Sequence, residues 1–174
     1  MDKSDFRKSA KETRKTLDIE TVSSKIMEKI ENSKEFQKSR QILLFYPKQC
    51  EINLIPLCEK YGNEKKFYLP KVNGYDMLVC PYSCGETLEV SNFGIYEPCS
   101  IPASPQIIDY AIIPCLCADK RGYRIGYGGG FYDRFLPKLK ENCLKITPVP
   151  QKLLFNKIPI EKYDVKVDFV VTDN

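Results

Sequence analysis

The chain has no histidine. That absence excludes a Ser-His-Asp triad, a Cys-His dyad and any imidazole ligand to a metal. Its chemistry must run on carboxylates, Lys, Arg, Tyr or backbone dipoles, a set that suits phosphoryl transfer, where catalysis is mostly positioning and charge stabilisation. Long apolar runs are missing as well, and the opening Met-Asp-Lys-Ser-Asp-Phe-Arg-Lys is charged with no apolar segment after it. A cytoplasmic protein with no secretory signal and no membrane partner is therefore expected. None of the eight cysteines stands in a C-x-x-C pair. Reduced thiols acting as small apolar residues are expected, rather than disulfides or a zinc site. Excess charge is small, at a formal +4. It favours small anions but falls short of a nucleic-acid footprint, so no nucleic-acid partner is expected. Repeats, low-complexity tracts and an interdomain linker are also lacking.

What is present fits one domain. At 174 residues, 43% of them apolar, the chain is long enough to bury a real core. Residues 2–16 read as a polar helix whose charges would normally be solvated, with Lys3 and Arg7 on the same side of one turn. Residues 19–31 read as a second helix, with Val22, Ile26 and Ile30 as its apolar stripe. The continuous apolar run 42–46 predicts a strand buried on both faces, and a helix is expected around 53–62. Short strands are expected at 66–69 and 77–80, each stopped by proline, then an irregular stretch over 83–106 and a central strand at 107–113. Residues 133–141 predict a helix in which Pro137 sits awkwardly, and strands follow at 145–147 and 167–171. This alternation argues for an α/β fold: a single-domain, open, mostly parallel sheet with helices on both faces. Ligands in such sheets bind beyond the carboxyl ends of the strands. A monomer is the default expectation.

Glycine is scarce but concentrated. Of nine glycines, Gly126, Gly128, Gly129 and Gly130 fall within five positions, in Arg124-Ile-Gly-Tyr-Gly-Gly-Gly-Phe-Tyr-Asp-Arg-Phe-Leu136. Backbone without Cβ can approach a ligand closely, and successive N–H groups can form an anion-binding concavity. Arg124 and Arg134 flank the run and can grip phosphate with two parallel bonds. Asp133 adds a carboxylate suited to Mg²⁺. The run is neither a Walker A motif nor a dinucleotide fingerprint, and a flexible turn is the plain alternative to a magnesium–nucleotide site.

The segment Gly122-Tyr-Arg-Ile-Gly-Tyr-Gly-Gly-Gly-Phe-Tyr-Asp-Arg-Phe-Leu136 resembles the signature of the 5-formyltetrahydrofolate cyclo-ligase (5,10-methenyltetrahydrofolate synthetase) family. Four further segments are similar to that family in the same order. They are Lys3-x-x-x-Arg7, Tyr46-Pro-Lys-Gln-Cys-Glu51-Ile-Asn, Phe93-Gly-Ile-Tyr-Glu97-Pro98 and the tail over residues 158–172. Cys115, Cys117-Ala118 and Tyr163 depart from the pattern without removing a charge that the chemistry needs.

The resemblance implies ATP- and Mg²⁺-dependent conversion of 5-formyltetrahydrofolate, in mono- or polyglutamyl form, to 5,10-methenyltetrahydrofolate, ADP and phosphate. It implies ATP binding by Lys3, Arg7, Arg124, Ile125, Gly126, Tyr127, Gly128, Gly129, Gly130, Phe131 and Tyr132, with Arg124 as the catalytic clamp. Asp133 and Asp164 would hold Mg²⁺. Substrate would meet Tyr46, Glu51, Tyr127, Gly128, Gly129, Gly130 and Phe131. The plain alternatives are core packing for the aromatic side chains, which is preferred for Tyr132 and Phe135, and an ordinary exposed glutamate at position 51. A module that binds RNA or another polyanion is the rival class, resting on the basic first helix and the tyrosines. An enzyme with the same nucleotide site and a different acceptor is a third reading.

Overall fold

A computed structural model describes residues 1–174. Its core is a six-stranded sheet of order β11-β9-β6-β1-β2-β3. The strands are β1 (Gln41–Leu43), β2 (Lys66–Asn73), β3 (Asp76–Tyr82), β6 (Tyr110–Ile112), β9 (Leu144–Pro148) and β11 (Phe169–Val171). Every neighbouring pair is parallel except β2–β3, which is an antiparallel hairpin at the edge. A hairpin of β4 (Leu88–Val90) and β5 (Tyr96–Pro98) and a small sheet of β7 (Cys117–Asp119), β8 (Arg124–Ile125) and β10 (Leu154–Phe155) complete the strands.

The central strand shows why the sheet is buried on both sides. Ile42 and Leu44 face one apolar layer and Leu43 faces the other, as the two-residue period of a strand requires. The first layer is covered by α2 (Ile19–Glu31), α3 (Lys34–Lys38) and α4 (Pro56–Tyr61), through Ile26, Ile30, Phe36 and Leu57. The second is covered by α5 (Phe131–Phe135), through Phe135 and the following Leu136. Helices thus lie on both faces.

The first helix, α1 (Lys3–Lys15), starts at Asp2, whose carboxylate accepts from the Ser4 and Asp5 amides while Asp5 accepts from the Asp2 amide. That reciprocal cap satisfies donors the helix leaves open. Phe6, Ala10 and Arg14 form its buried stripe, and Phe6 and Ala10 pack on the small sheet. No helix is long and apolar enough to cross a membrane. All eight cysteines are free thiols.

Several elements differ from the sequence expectation. β2 and β3 run through Pro70 and Pro81 instead of stopping there, pairing Pro70 with Val79 and Tyr68 with Pro81. The pairing of β2 with β1 ends at Tyr68 and β3 is an edge strand, so each strand has a side without a ladder on which a missing N–H is tolerated. The stretch 83–106 is not irregular throughout, because β4 and β5 lie within it. The helix expected over 133–141 begins at Phe131 and breaks into a 3-10 turn, Leu136–Lys138, where Pro137 sits without an interior helix partner to displace. β7, β8 and β10 are too short to carry a readable period.

Candidate active site

The parallel strands β1, β2 and β6 all deliver chain to one cavity of about 430 Å³. Phe45 and Tyr46 follow β1, Pro70 and Val72 lie late in β2, and Pro114 follows β6. The glycine loop, the start of α1 and the segment carrying Glu161 and Asp164 close the other sides. The cavity therefore sits beyond the carboxyl ends of the parallel strands.

The loop turns from β8 into α5. Gly128 has φ +105° and lies beside the Arg7 guanidinium, where an added Cβ would come within 3.6 Å. Gly130 has φ +66° and immediately precedes α5, where an added Cβ would fall 2.7 Å from Arg134. Positive φ favours glycine at both positions. Arg7 Nε donates to the Gly126 carbonyl at 3.0 Å, and Arg134 Nη1 donates to the Gly129 carbonyl at 3.0 Å. Two arginines thus pin the loop from opposite ends by its carbonyls, while the amides of residues 126–130 donate to no backbone carbonyl and remain for a ligand.

The two distant aspartates come to the same cavity. Asp133 Oδ1 accepts from Arg124 Nη2 at 3.0 Å and from the amide of Val165 at 3.1 Å, next in sequence to Asp164. Asp164 accepts Lys3 Nζ on both oxygens, at 2.7 and 2.6 Å, and the Glu161 amide at 2.7 Å. Arg124 is 8% exposed and also donates to the Val165 carbonyl at 2.6 Å. One network therefore joins α1, the loop, α5 and the tail. As hard oxygen donors on one cavity wall, the two aspartates fit a small divalent cation. Asp133 Oδ2 has no protein donor, whereas Asp164 would have to exchange Lys3.

Glu51 is 7% exposed rather than the ordinary surface glutamate that its place near a helix allows. Its Oε2 accepts from the Lys48 amide at 2.7 Å and its Oε1 from the Tyr127 hydroxyl at 2.6 Å. Burial first, and then the Glu51 carboxylate, push the Tyr127 phenol far above its ordinary range, so it stays a donor. Lys48 Nζ stands 5.3 Å from the Tyr127 ring. Two aromatic pairs border the cavity: Phe93 meets Phe131 edge-on at 5.9 Å, and Tyr46 tilts against Tyr96 at 5.0 Å. Phe135 lies in the core, and Tyr132 packs against the core while also lining the cavity.

Every residue that the family resemblance assigned to ATP, substrate or metal lines this one cavity; Arg134, expected to grip phosphate beside Arg124, does not line it and donates instead to the carbonyls of Tyr75 and Gly129. Others were missed. Lys48, Phe93, Ile95 and Glu97 line it from stretches that carry no period, and for Glu97 only the Phe-Gly-Ile-Tyr-Glu-Pro motif marked the place. Arg14, read among solvated charges, is 4% exposed and donates to the carbonyls of Cys115, Leu116 and Cys50. Its signal was its spacing from Phe6 and Ala10.

A family model described as the 5-formyltetrahydrofolate cyclo-ligase family matches residues 2–173. The protein of Escherichia coli K12 named 5-formyltetrahydrofolate cyclo-ligase is 31% identical over 134 residues, covering 70% of this chain and 71% of that one. A mitochondrial 5-formyltetrahydrofolate cyclo-ligase of Arabidopsis thaliana is 30% identical over 133 residues, which span 64% of this chain and 48% of the plant protein. Among solved structures, the NMR structure of Aquifex aeolicus 5,10-methenyltetrahydrofolate synthetase superimposes with a TM-score of 0.87 at 33% identity, covering 99% of this chain and 90% of that chain.

Proposed function

The chain belongs to the 5-formyltetrahydrofolate cyclo-ligase family, and from that premise we propose that it converts 5-formyltetrahydrofolate and ATP to 5,10-methenyltetrahydrofolate, ADP and phosphate. The whole chain, 1–174, acts in this reading as one cyclo-ligase domain. The formyl oxygen is a poor leaving group. Its attack on the γ-phosphorus of ATP expels ADP and leaves the oxygen as a phosphate ester. N10 then attacks the formyl carbon, loses its proton, and phosphate departs with the oxygen.

The observation that carries the reading is the Arg124–Asp133–Val165 junction beside Lys3–Asp164, which puts two cations and two carboxylates along one glycine loop. The loop from Arg124 through Ile125, Gly126, Tyr127, Gly128, Gly129, Gly130 and Phe131 to Tyr132 wraps the phosphates. Lys3 and Arg7 meet them from α1, and Arg124 offsets charge on the transferring group. Asp133 and Asp164 hold Mg²⁺, which when bound neutralises phosphate charge. Tyr46, Tyr127 and Phe131 line the substrate, and the backbone of Gly128, Gly129 and Gly130 approaches it closely. Glu51 orients Tyr127 and offers its remaining lone pairs to the folate.

The test is the absorbance of the methenyl product. Turnover of 5-formyltetrahydrofolate is expected with ATP and Mg²⁺ together, and none without either. A folded protein that gives no product under those conditions overturns the proposal. RNA binding that weakens steeply with salt, without turnover, would favour the polyanion-binding class instead.

A further inference from the structure

Glu97 is 6% exposed and stands on the cavity wall, at the end of the β4–β5 hairpin. Its Oε1 accepts from the Val72 amide at 2.9 Å, and its Oε2 has no protein donor. No side-chain polar atom sealed inside the protein lacks a partner, so this oxygen looks into the open cavity. Glu51 differs, because both of its oxygens already accept from the protein. A largely buried carboxylate with an empty oxygen is unfavourable until something supplies a donor.

The surroundings limit what that donor is. Pro70, Val72, Met77 and Phe93 make this part of the wall apolar. No cation is close enough to Glu97 to form an ion pair. The geometry points to a flat, weakly solvated ring that slides along apolar side chains and presents an N–H edge to one carboxylate. Resting on the folate reading above, we infer that Glu97 accepts a hydrogen bond from the amino-pyrimidinone N–H edge of the reduced pterin and so selects the ring that carries it. Lys71 Nζ, next to Val72, is held by the Pro98 carbonyl at 3.3 Å, which ties the hairpin end to β2 and keeps Glu97 in place.

Glu97→Gln tests this. Glutamine keeps the shape and an acceptor for the Val72 amide, but turns the free acceptor into a donor. Calorimetric titration with 5-formyltetrahydrofolate is expected to show Kd rising about 10- to 100-fold, with MgATP affinity and melting temperature unchanged. The same factor is expected for 5-formyltetrahydropterin, which lacks the aminobenzoyl-glutamate. A Kd within twofold of wild type overturns the inference. So does a penalty that vanishes with the truncated ligand, because Glu97 would then face the other end of the folate. Should the variant not fold, the wild-type protein serves: a folate analogue with methyl in place of the 2-amino group should bind about tenfold more weakly, and equal binding overturns the inference. Wild type that neither binds nor turns over 5-formyltetrahydrofolate would sink the folate reading itself, and Glu97 with it. Normal wild-type turnover with an indifferent Glu97→Gln sinks the inference alone.

Discussion

Asp119, at the end of β7, and Asp133, in α5, flank the glycine loop, and each bonds an arginine. Asp119 is fully buried and saturated. Its Oδ1 accepts from the amides of Arg121 and Tyr123, and its Oδ2 from the Arg121 guanidinium and the Ile158 amide. Asp133 uses one oxygen, for Arg124 and the Val165 amide, and its side chain stays 29% exposed to the cavity. Lys65 is held in the same way as Asp119, since its ammonium donates to the carbonyls of Phe36, Gln37 and Ser39 inside the scaffold, whereas Lys3 at the cavity rim meets the carboxylates of Asp164 and Glu161. A buried charge whose valences are all met by its own chain is a strut. A buried charge with valences left open toward a cavity is available for chemistry.

The largest expected effect breaks the strut. Asp119→Ala strands buried amides and the Arg121 guanidinium, and about 3–5 kcal/mol of stability should go. For this chain length that is roughly 6–20 °C in melting temperature, while turnover per folded molecule stays near wild type. Calorimetry and the product assay check both halves. The strut should also show in acid. Burial pushes the Asp119 carboxyl up, but the Arg121 side chain and the Ile158, Tyr123 and Arg121 amides more than offset it, so its folded pKa lies below the ordinary 3.8. Between those two values the unfolded chain binds the extra proton, so stability rises with pH. The contribution is fully present above 3.8 and is lost as pH falls through the folded value. In Asp119→Ala that part of the acid slope should flatten.

Breaking the other member of the comparison should do the reverse. Asp133→Asn keeps an acceptor for Arg124 and Val165 but removes the charge, so turnover should fall about 100-fold or more with the melting temperature little changed. Near wild-type turnover at limiting Mg²⁺ would contradict a metal role. Filling the open valences should stabilise the protein. MgATP at about 100 times its Kd adds about 2.7 kcal/mol, or roughly 5–10 °C. An unmoved melting curve would count against a nucleotide site.

The struts and the open site were not equally legible in the sequence. The apolar run that became β1 and the stripe of α2 announced the sheet and its cover, because burial leaves a period. The loop drew attention because crowded glycines permit positive φ, which Gly128 and Gly130 do adopt, but only the family resemblance set it apart from a flexible turn. The convergence of Asp133 and Asp164 left no local mark. It is made by the return of the tail along Gly122, whose carbonyl accepts the Val167 amide. Arg14, despite its spacing from Phe6 and Ala10, gave no sign of its partners, which are backbone carbonyls, and most of the partners of Asp119 are backbone amides, groups that every residue but proline carries. Glu97 was hidden for a related reason: β4 and β5 are three residues each, too short for alternation to show.

The smallest expected effect decides to which class Lys3 belongs. Its side chain and that of Asp164 are each 14% exposed, so the pair is neither a free surface bridge nor a sealed one. As a strut, its loss in Lys3→Met should cost about 1 kcal/mol, or roughly 2–4 °C, since the methionine keeps the apolar stem. The MgATP stabilisation should then be unchanged. As part of the open site, Lys3 leaves Asp164 and Glu161 when a triphosphate and its cation arrive, trading two carboxylates for several phosphate oxygens. The variant should then lose more of the MgATP shift than of its own stability. Thermal melts of wild type and Lys3→Met, with and without MgATP, separate the two, and the second outcome is the one expected, because Lys3 is tied to a proposed metal ligand rather than to backbone. A full MgATP shift in Lys3→Met would return it to the struts and leave Arg7 and Arg124 as the cations of the nucleotide site.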